Sequence, residues 1–168
     1  CKELQNIGVK TIIDLRTAQE KGGSCSLKNN FNVINIPIAT GNMEGVLKAL
    51  QKNKIKTDTI YRMVEQMNRD LIIKNRAEFK LLFHALLNKE NYPVVIHCSS
   101  GKGRTGISVA LILTALGVNS DDIMQDYRLS NVYFNIPKAT RYAYKLPVQS
   151  QEAITTLFSA QEGFLNAA

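Results

Sequence analysis

An α/β fold, with a central and mostly parallel sheet flanked by helices, is predicted by three features of this chain. Apolar runs of strand length recur at residues 9–15, 32–38 and 93–96. Stretches of helical length and periodicity lie between and after them. The two kinds of segment alternate rather than cluster, and alternation of that kind builds a parallel sheet with helical crossovers.

Taken in order, residues 9–15 (VKTIIDL) read as a buried strand, and residues 21–30, rich in Gly, Ser and Asn, as a loop. Residues 32–38 (NVINIPI) form a second strand ended by Pro37. Residues 43–56 read as a short helix with a lysine-rich end, and Thr57-Asp58 as the N-cap of a long helix over residues 59–74. Phe79, Leu82, Phe83, Leu86 and Leu87 recur at helical spacing and give the next helix one apolar face. After the third strand, residues 107–116 are apolar nearly all round, which places that helix through the centre of the domain. A further helix starts at Ser120, with Asp121 and Asp122 in its first turn where acidic groups suit the dipole. Residues 151–168 read as helical and stop without a cap.

A chain of 168 residues with 45 % hydrophobic content is expected to form one domain, 1–168, trimmed at both ends, since it opens on Cys1. No apolar run reaches the roughly 20 residues of a membrane span. Three cysteines make no disulfide framework.

The chemistry is concentrated in His97-Cys98-Ser99-Ser100-Gly101-Lys102-Gly103-Arg104, followed by Thr105-Gly106. This is a strand, a tight glycine-bearing loop and a helix. Such a loop turns its backbone N–H groups inward at a helix N-terminus, where they and the dipole favour an anion. The same field lowers the pKa of a thiol and makes it a nucleophile. Arg104 can meet a phosphate with two parallel charged hydrogen bonds, which a lysine cannot. A nucleotide P-loop would need a glycine at Ile96 and a hydroxyl residue at Gly103, so that pattern fails. A zinc site fails too, because there are only three cysteines and two histidines and no second Cys/His pair.

The loop resembles the C-x5-R signature of the protein tyrosine phosphatase superfamily, with Ser99 to Gly103 between Cys98 and Arg104. Rhodanese-type loops usually lack the Arg104-Thr105 ending. The wider chain resembles one branch in particular, the bacterial tyrosine phosphatases that also act on serine/threonine phosphates and phosphoinositides. Two further segments carry that likeness: Gly8-Val9-Lys10-Thr11-Ile12-Ile13-Asp14-Leu15-Arg16-Thr17 with Glu20, and Asp126-Tyr127-Arg128-Leu129-Ser130-Asn131. The resemblance implies a phosphatase that attacks phosphorus with Cys98. The N–H groups of Ser99, Ser100, Gly101, Lys102, Gly103 and Arg104, with the Arg104 guanidinium, then hold the phosphoryl oxygens. It also implies that Thr105 eases departure of the sulfur and that His97 orders the loop. No metal or other cofactor is required. A catalytic thiolate needs reducing surroundings, hence a cytoplasm, or a host cytosol for a secreted effector. A monomer is expected.

The general acid is the open position. Relatives carry an aspartate after the second strand, where this chain has Ile38-Ala39-Thr40-Gly41-Asn42, or just before the loop arginine, where it has Gly103. Glu44 and Asp58 are the remaining candidates; of the two Asp58 is preferred, with a plain helix cap as its standing alternative. Arg16 and Glu20 are open between a place at the site and a structural ion pair. Cys25 is a conceivable disulfide partner for Cys98.

For the substrate, phosphotyrosine protein is the first expectation and a phosphoinositide or inositol phosphate the second. Gly101-Lys102-Gly103-Arg104-Thr105-Gly106 also occurs in tensin-homologue-type phosphoinositide 3-phosphatases. Nine basic residues face four acidic ones between positions 48 and 80, within a net charge of +7. That balance suits peripheral contact with an anionic membrane as well as it suits a solvated helix face. No nucleic-acid motif is present. An inactive module that keeps the loop to bind phosphorylated partners is the third reading.

Overall fold

The computed structural model describes residues 2–21, 30–41, 45–46, 48, 56–135 and 145–168. The helix expected over residues 43–56, most of the 21–30 loop, Glu44 and Cys25 fall wholly or largely outside those residues.

The sheet has three parallel strands in the order β2-β1-β3. They are β1 (Thr11–Asp14), β2 (Asn32–Asn35) and β3 (Val94–His97). All three expected strands are present; β1 and β2 are shorter than their apolar runs, and β3 is as long as its run but begins one residue later. The runs continue as single hydrogen bonds past the strand ends, Leu15 N–H to His97 O and Ile38 N–H to Leu15 O. Among the described residues the helices are α1 (Lys2–Asn6), α2 (Thr57–Lys74), α3 (Arg76–Leu87), α4 (Gly103–Ala115), α5 (Ser120–Tyr133), α6 (Val148–Phe158) and α7 (Glu162–Asn166).

Strand period two sorts the sheet into two faces. Ile34, Ile13 and Ile96 stand in one register row, and Val33, Ile12 and Val95 in the next. The first row packs into the main core with Leu71, Phe79, Leu82 and Ile107 from α2, α3 and α4. The second row packs with Val9, Phe31 and Leu4 of α1. β1, central and buried at every position, has its flat side-chain rows covered on both faces. That explains why its sequence reads as a continuous apolar run.

α2 buries Ile60, Val64, Asn68 and Leu71, one stripe along its length. Its first half meets Ala153, Ile154 and Leu157 of α6 and Phe164 of α7 in a second core, where the Tyr61 and Phe164 rings lie 4.8 Å apart. The helix starts at Thr57, with Lys56 rather than Thr57-Asp58 at its cap. α5 starts at Ser120 as expected, capped by Asn119, whose side chain accepts from the Asp122 N–H at 3.0 Å.

α4 departs from expectation. Only Arg104, Ile107 and Ser108 are buried, and Leu116 just beyond it is 74 % exposed. The helix runs along the rim of the core rather than through it. An all-round apolar composition does not locate a helix whose neighbours leave one side open.

At the α2–α3 junction Asn75 is buried and pins the chain that follows β2. It accepts from Ala39 N–H at 3.1 Å and donates to Leu71 O at 2.8 Å and Ala39 O at 3.3 Å. Asn75→Ala is expected to destabilise the fold by about 1–3 kcal/mol, because it leaves buried backbone groups unpaired. Urea unfolding followed by circular dichroism measures this.

Candidate active site

Parallel strands deliver their C-terminal ends to one edge, and at that edge the chain collects its reactive groups. β3 ends at His97, Cys98 follows, and the loop turns at Gly101, whose φ of +69° is left-handed and favours glycine. α4 then starts at Gly103 with its first N–H groups beside the loop. Gly106 serves a different purpose: a Cβ there would meet the Tyr127 ring at 2.8 Å, so glycine lets α5 approach the start of α4.

Arg104 is 6 % exposed and fully engaged. Its Nη1 donates to Leu15 O and Ile38 O, each at 3.2 Å, and to Glu20 Oε2 at 2.7 Å. Its Nη2 donates to Glu20 Oε1 and, at 3.2 Å, to Ser99 Oγ. The guanidinium is thus tied to the chain just after β1, to the chain just after β2 and to one carboxylate. Glu20 is itself held: it accepts from Thr17 N–H at 2.9 Å, Thr17 Oγ1 at 3.0 Å and Ser99 Oγ at 2.7 Å. The Arg104 hydrogen bonds, outweighing burial, hold the Glu20 carboxyl far below the usual carboxylate range.

Cys98 is 7 % exposed. Burial opposes its ionisation, but hydrogen bonds from the Thr105 side chain and from the Thr105 and Ser100 backbone, with the Arg104 charge, win. Its pKa falls below the ordinary thiol value. Thr105 Oγ1 is buried without a well-formed hydrogen bond, and it lies close enough to the Cys98 sulfur to favour its ionised form. Behind the loop, His97 Nδ1 lies 3.1 Å from Cys98 O, and His97 Nε2 lies 3.6 Å from the Asp14 carboxylate. Arg16 spans Asp14 with Nε and Nη2, both at 3.0 Å. The Arg16–Glu20 ion pair considered from sequence is therefore two separate pairs, Arg16 with Asp14 and Glu20 with Arg104.

These groups line a cavity of about 290 Å³ with Cys98, Ser99, Ser100, Lys102, Gly103 and Arg104 in its wall. The rest of the wall is mainly apolar: Val64, Met67 and Leu71 of α2, Leu157 and Phe158 of α6, and Phe164 of α7, with Tyr127 of α5. Lys102 does not extend freely into it. Its Nζ donates to Leu157 O at 2.8 Å and Ser159 O at 3.0 Å, where the end of α6 favours a cation.

Asp58 is not brought here. It is exposed in the first turn of α2, where an acidic group suits the helix dipole, and it is absent from the cavity wall. Among the described residues Glu20 is the carboxylate that lines the cavity. The sequence does carry a local signal for it, since Thr17-x-x-Glu20 has capping-box spacing. The contribution of α6 and α7 has no such signal. Among the described residues, no group of three His, Cys, Asp or Glu side chains could hold a metal ion.

Two outcomes are expected. Alkylation of Cys98 by iodoacetamide should follow a midpoint below the ordinary pKa of 9.0, and Thr105→Val should move that midpoint upward. Because the folded pKa of Glu20 lies below its ordinary 4.5, its pairing stabilises the fold above that pH and the contribution is lost as pH falls further. Urea unfolding should therefore find Glu20→Gln less stable than the wild type at neutral pH, with the difference closing below pH 4.5.

Comparison with known proteins bears on the same residues. The family model described as "Tyrosine phosphatase family" matches residues 1–168. A tyrosine-protein phosphatase of Nostoc commune is 29 % identical over 133 residues, 77 % of this chain and 43 % of the relative. A Cupriavidus necator protein provisionally named as a tyrosine-protein phosphatase is 28 % identical over 132 residues, 77 % of this chain and 47 % of that protein. The triple specificity protein phosphatase PtpB of Mycobacterium tuberculosis is 38 % identical over 74 residues, 44 % of this chain and 27 % of PtpB. The matched stretch spans less than half the length of each of these relatives. With its cysteine loop, buried arginine and three-stranded parallel sheet, the chain belongs to the tyrosine phosphatase family.

Proposed function

We propose that this chain is a cysteine-dependent phosphatase that hydrolyses phosphate monoesters, with phosphotyrosine in protein as its substrate. The observation that carries the reading is the meeting, in one cavity, of a thiol with lowered pKa, an arginine held rigidly in place and apolar walls.

The chemistry follows from what each group can do. The Cys98 sulfur attacks phosphorus in line, the bond to the substrate oxygen breaks, and a thiophosphate forms. The loop N–H groups and the Arg104 guanidinium are the donors available to the oxygens on which charge is redistributed. Glu20 fixes the guanidinium plane; being ionised, it is a positioning group rather than a proton source. Water then attacks the thiophosphate, and Thr105 stabilises the departing thiolate. His97, bonded to Cys98 O, orders the start of the loop.

The walls favour an aryl ester. Met67, Leu157, Phe158 and Phe164 offer a ring apolar contact, whereas away from the loop and Glu20 the wall has only Thr40, Asn68 and Tyr127 to meet the hydroxyls of an inositol. The phosphoinositide reading is supported by the triple-specificity name of the mycobacterial relative and by Arg62 and Arg69, both exposed on α2. Against it, the Lys102 ammonium is occupied by the carbonyls at the end of α6. No described helix is long and apolar enough to cross a membrane.

Phosphate release from a phosphotyrosine peptide and from short-chain phosphoinositides, measured side by side, tests this. Release from the peptide is expected to dominate, and Cys98→Ser should abolish it. A preference for the lipid would reverse the substrate assignment. No release from either would leave a phosphate-binding module.

A further inference from the structure

A departing phenoxide needs a proton, and the described residues that line the cavity hold no carboxylic acid to supply one. Glu20 is the carboxylate there, and Arg104 keeps it ionised. Tyr127 lines the cavity, but burial pushes its phenol up to about 12, above the roughly 10 of the tyrosine that must leave. Lys102 remains, on the loop itself.

Its ammonium is held in an unusual way. Leu157 O and Ser159 O accept two of its protons, at 2.8 and 3.0 Å, and no described acceptor takes the third. An ammonium that gives up one proton becomes an amine with two N–H bonds, and two carbonyls are what the structure supplies for them. The end of α6 thus has an acceptor for two N–H bonds of Lys102 in either protonation state, while its carbonyl charge favours the ammonium as the resting form. The side chain lines the same cavity as Cys98 and lies near enough to feel its charge.

Resting on the phosphatase reading above, we infer that Lys102 is the proton donor and acceptor of this site, in the place an aspartate would otherwise hold. In the first step the sulfur–phosphorus bond forms, the phosphorus–oxygen bond of the ester breaks, and that oxygen takes the third proton of Lys102 Nζ. In the second, the neutral amine takes a proton from the attacking water, the phosphorus–sulfur bond breaks, and Cys98 leaves as thiolate beside free phosphate. Burial pushes the Lys102 ammonium down to about 8, with the Cys98 charge pulling the other way, so it is protonated at neutral pH and a stronger acid than the phenol it serves. The other titratable groups in the cavity wall are Glu20, Cys98, Arg104 and Tyr127. α2 contributes Val64, Met67, Asn68 and Leu71 and α6 contributes Leu157 and Phe158, none of which titrates.

The test is the dependence of rate on the leaving group. Wild type, Lys102→Met and Lys102→Arg are each assayed on p-nitrophenyl phosphate, whose acidic phenolate leaves unaided, and on phosphotyrosine, whose phenolate does not. Both variants are expected to lose about 100-fold or more in kcat on phosphotyrosine and less than about tenfold on p-nitrophenyl phosphate. Arginine keeps a charge and donors for the two carbonyls but cannot release a proton, so it separates proton transfer from the tie to α6. Equal losses on both substrates, or phosphotyrosine turnover restored by arginine, would overturn the inference and leave Lys102 a structural tie. A wild type that turns over neither substrate would overturn the phosphatase reading itself.

Discussion

The site is organised around the burial of one guanidinium. A charge placed inside a protein is costly unless each of its donors finds a partner. Arg104 finds them at Leu15 O, Ile38 O, Glu20 and Ser99 Oγ. Three of these come from separate parts of the chain: the end of β1, the stretch after β2 and the turn at Glu20. Satisfying one side chain therefore holds the Cys98–Arg104 loop, on its third strand, in register with the other two. Breaking any one of these contacts leaves a buried charge short of a partner.

That arrangement also determines the sulfur. Cys98 sits where burial alone would keep it neutral, and the opposing hydrogen bonds from Thr105 and Ser100 with the Arg104 charge reverse the balance. The apolar wall contributes to the same end, because charges interact more strongly where water is scarce. The field that lowers the thiol pKa and the field that would hold a phosphoryl group come from the same few dipoles, so the two properties cannot be tuned independently.

The segment over residues 126–131 closes the cavity from the other side. Tyr127 packs against Gly106, and Asn131 clamps Ala160, accepting from its N–H at 2.6 Å and donating to its O at 2.9 Å. Arg128 pairs with Glu162, and Asn68 of α2 donates to Phe164 O at 2.7 Å. With Lys102 holding the end of α6, polar groups from three elements fasten the chain between residues 157 and 164 above the loop. Leu157, Phe158 and Phe164 thereby become cavity wall instead of mere core.

The division between sequence and structure follows the range of the interactions. Strand identity, the parallel sheet, the loop with Cys98 and Arg104, and the helix from Ser120 were legible because they rest on local pattern: apolar runs, glycines, caps and a fixed C-x5-R spacing. Short-range pattern overextended the first two strands and misplaced α4, since burial depends on what packs alongside. The partner of Glu20 lies 84 residues away in sequence, and the carbonyls that bind Lys102 lie 55 and 57 residues away. Asp58 looked like an acid in search of a site because nothing local shows that α2 turns its first turn toward solvent. The sequence by itself determined which groups could do chemistry and where the strands would deliver them. The tertiary structure alone decided which of them meet, because buried charges choose partners by distance in space.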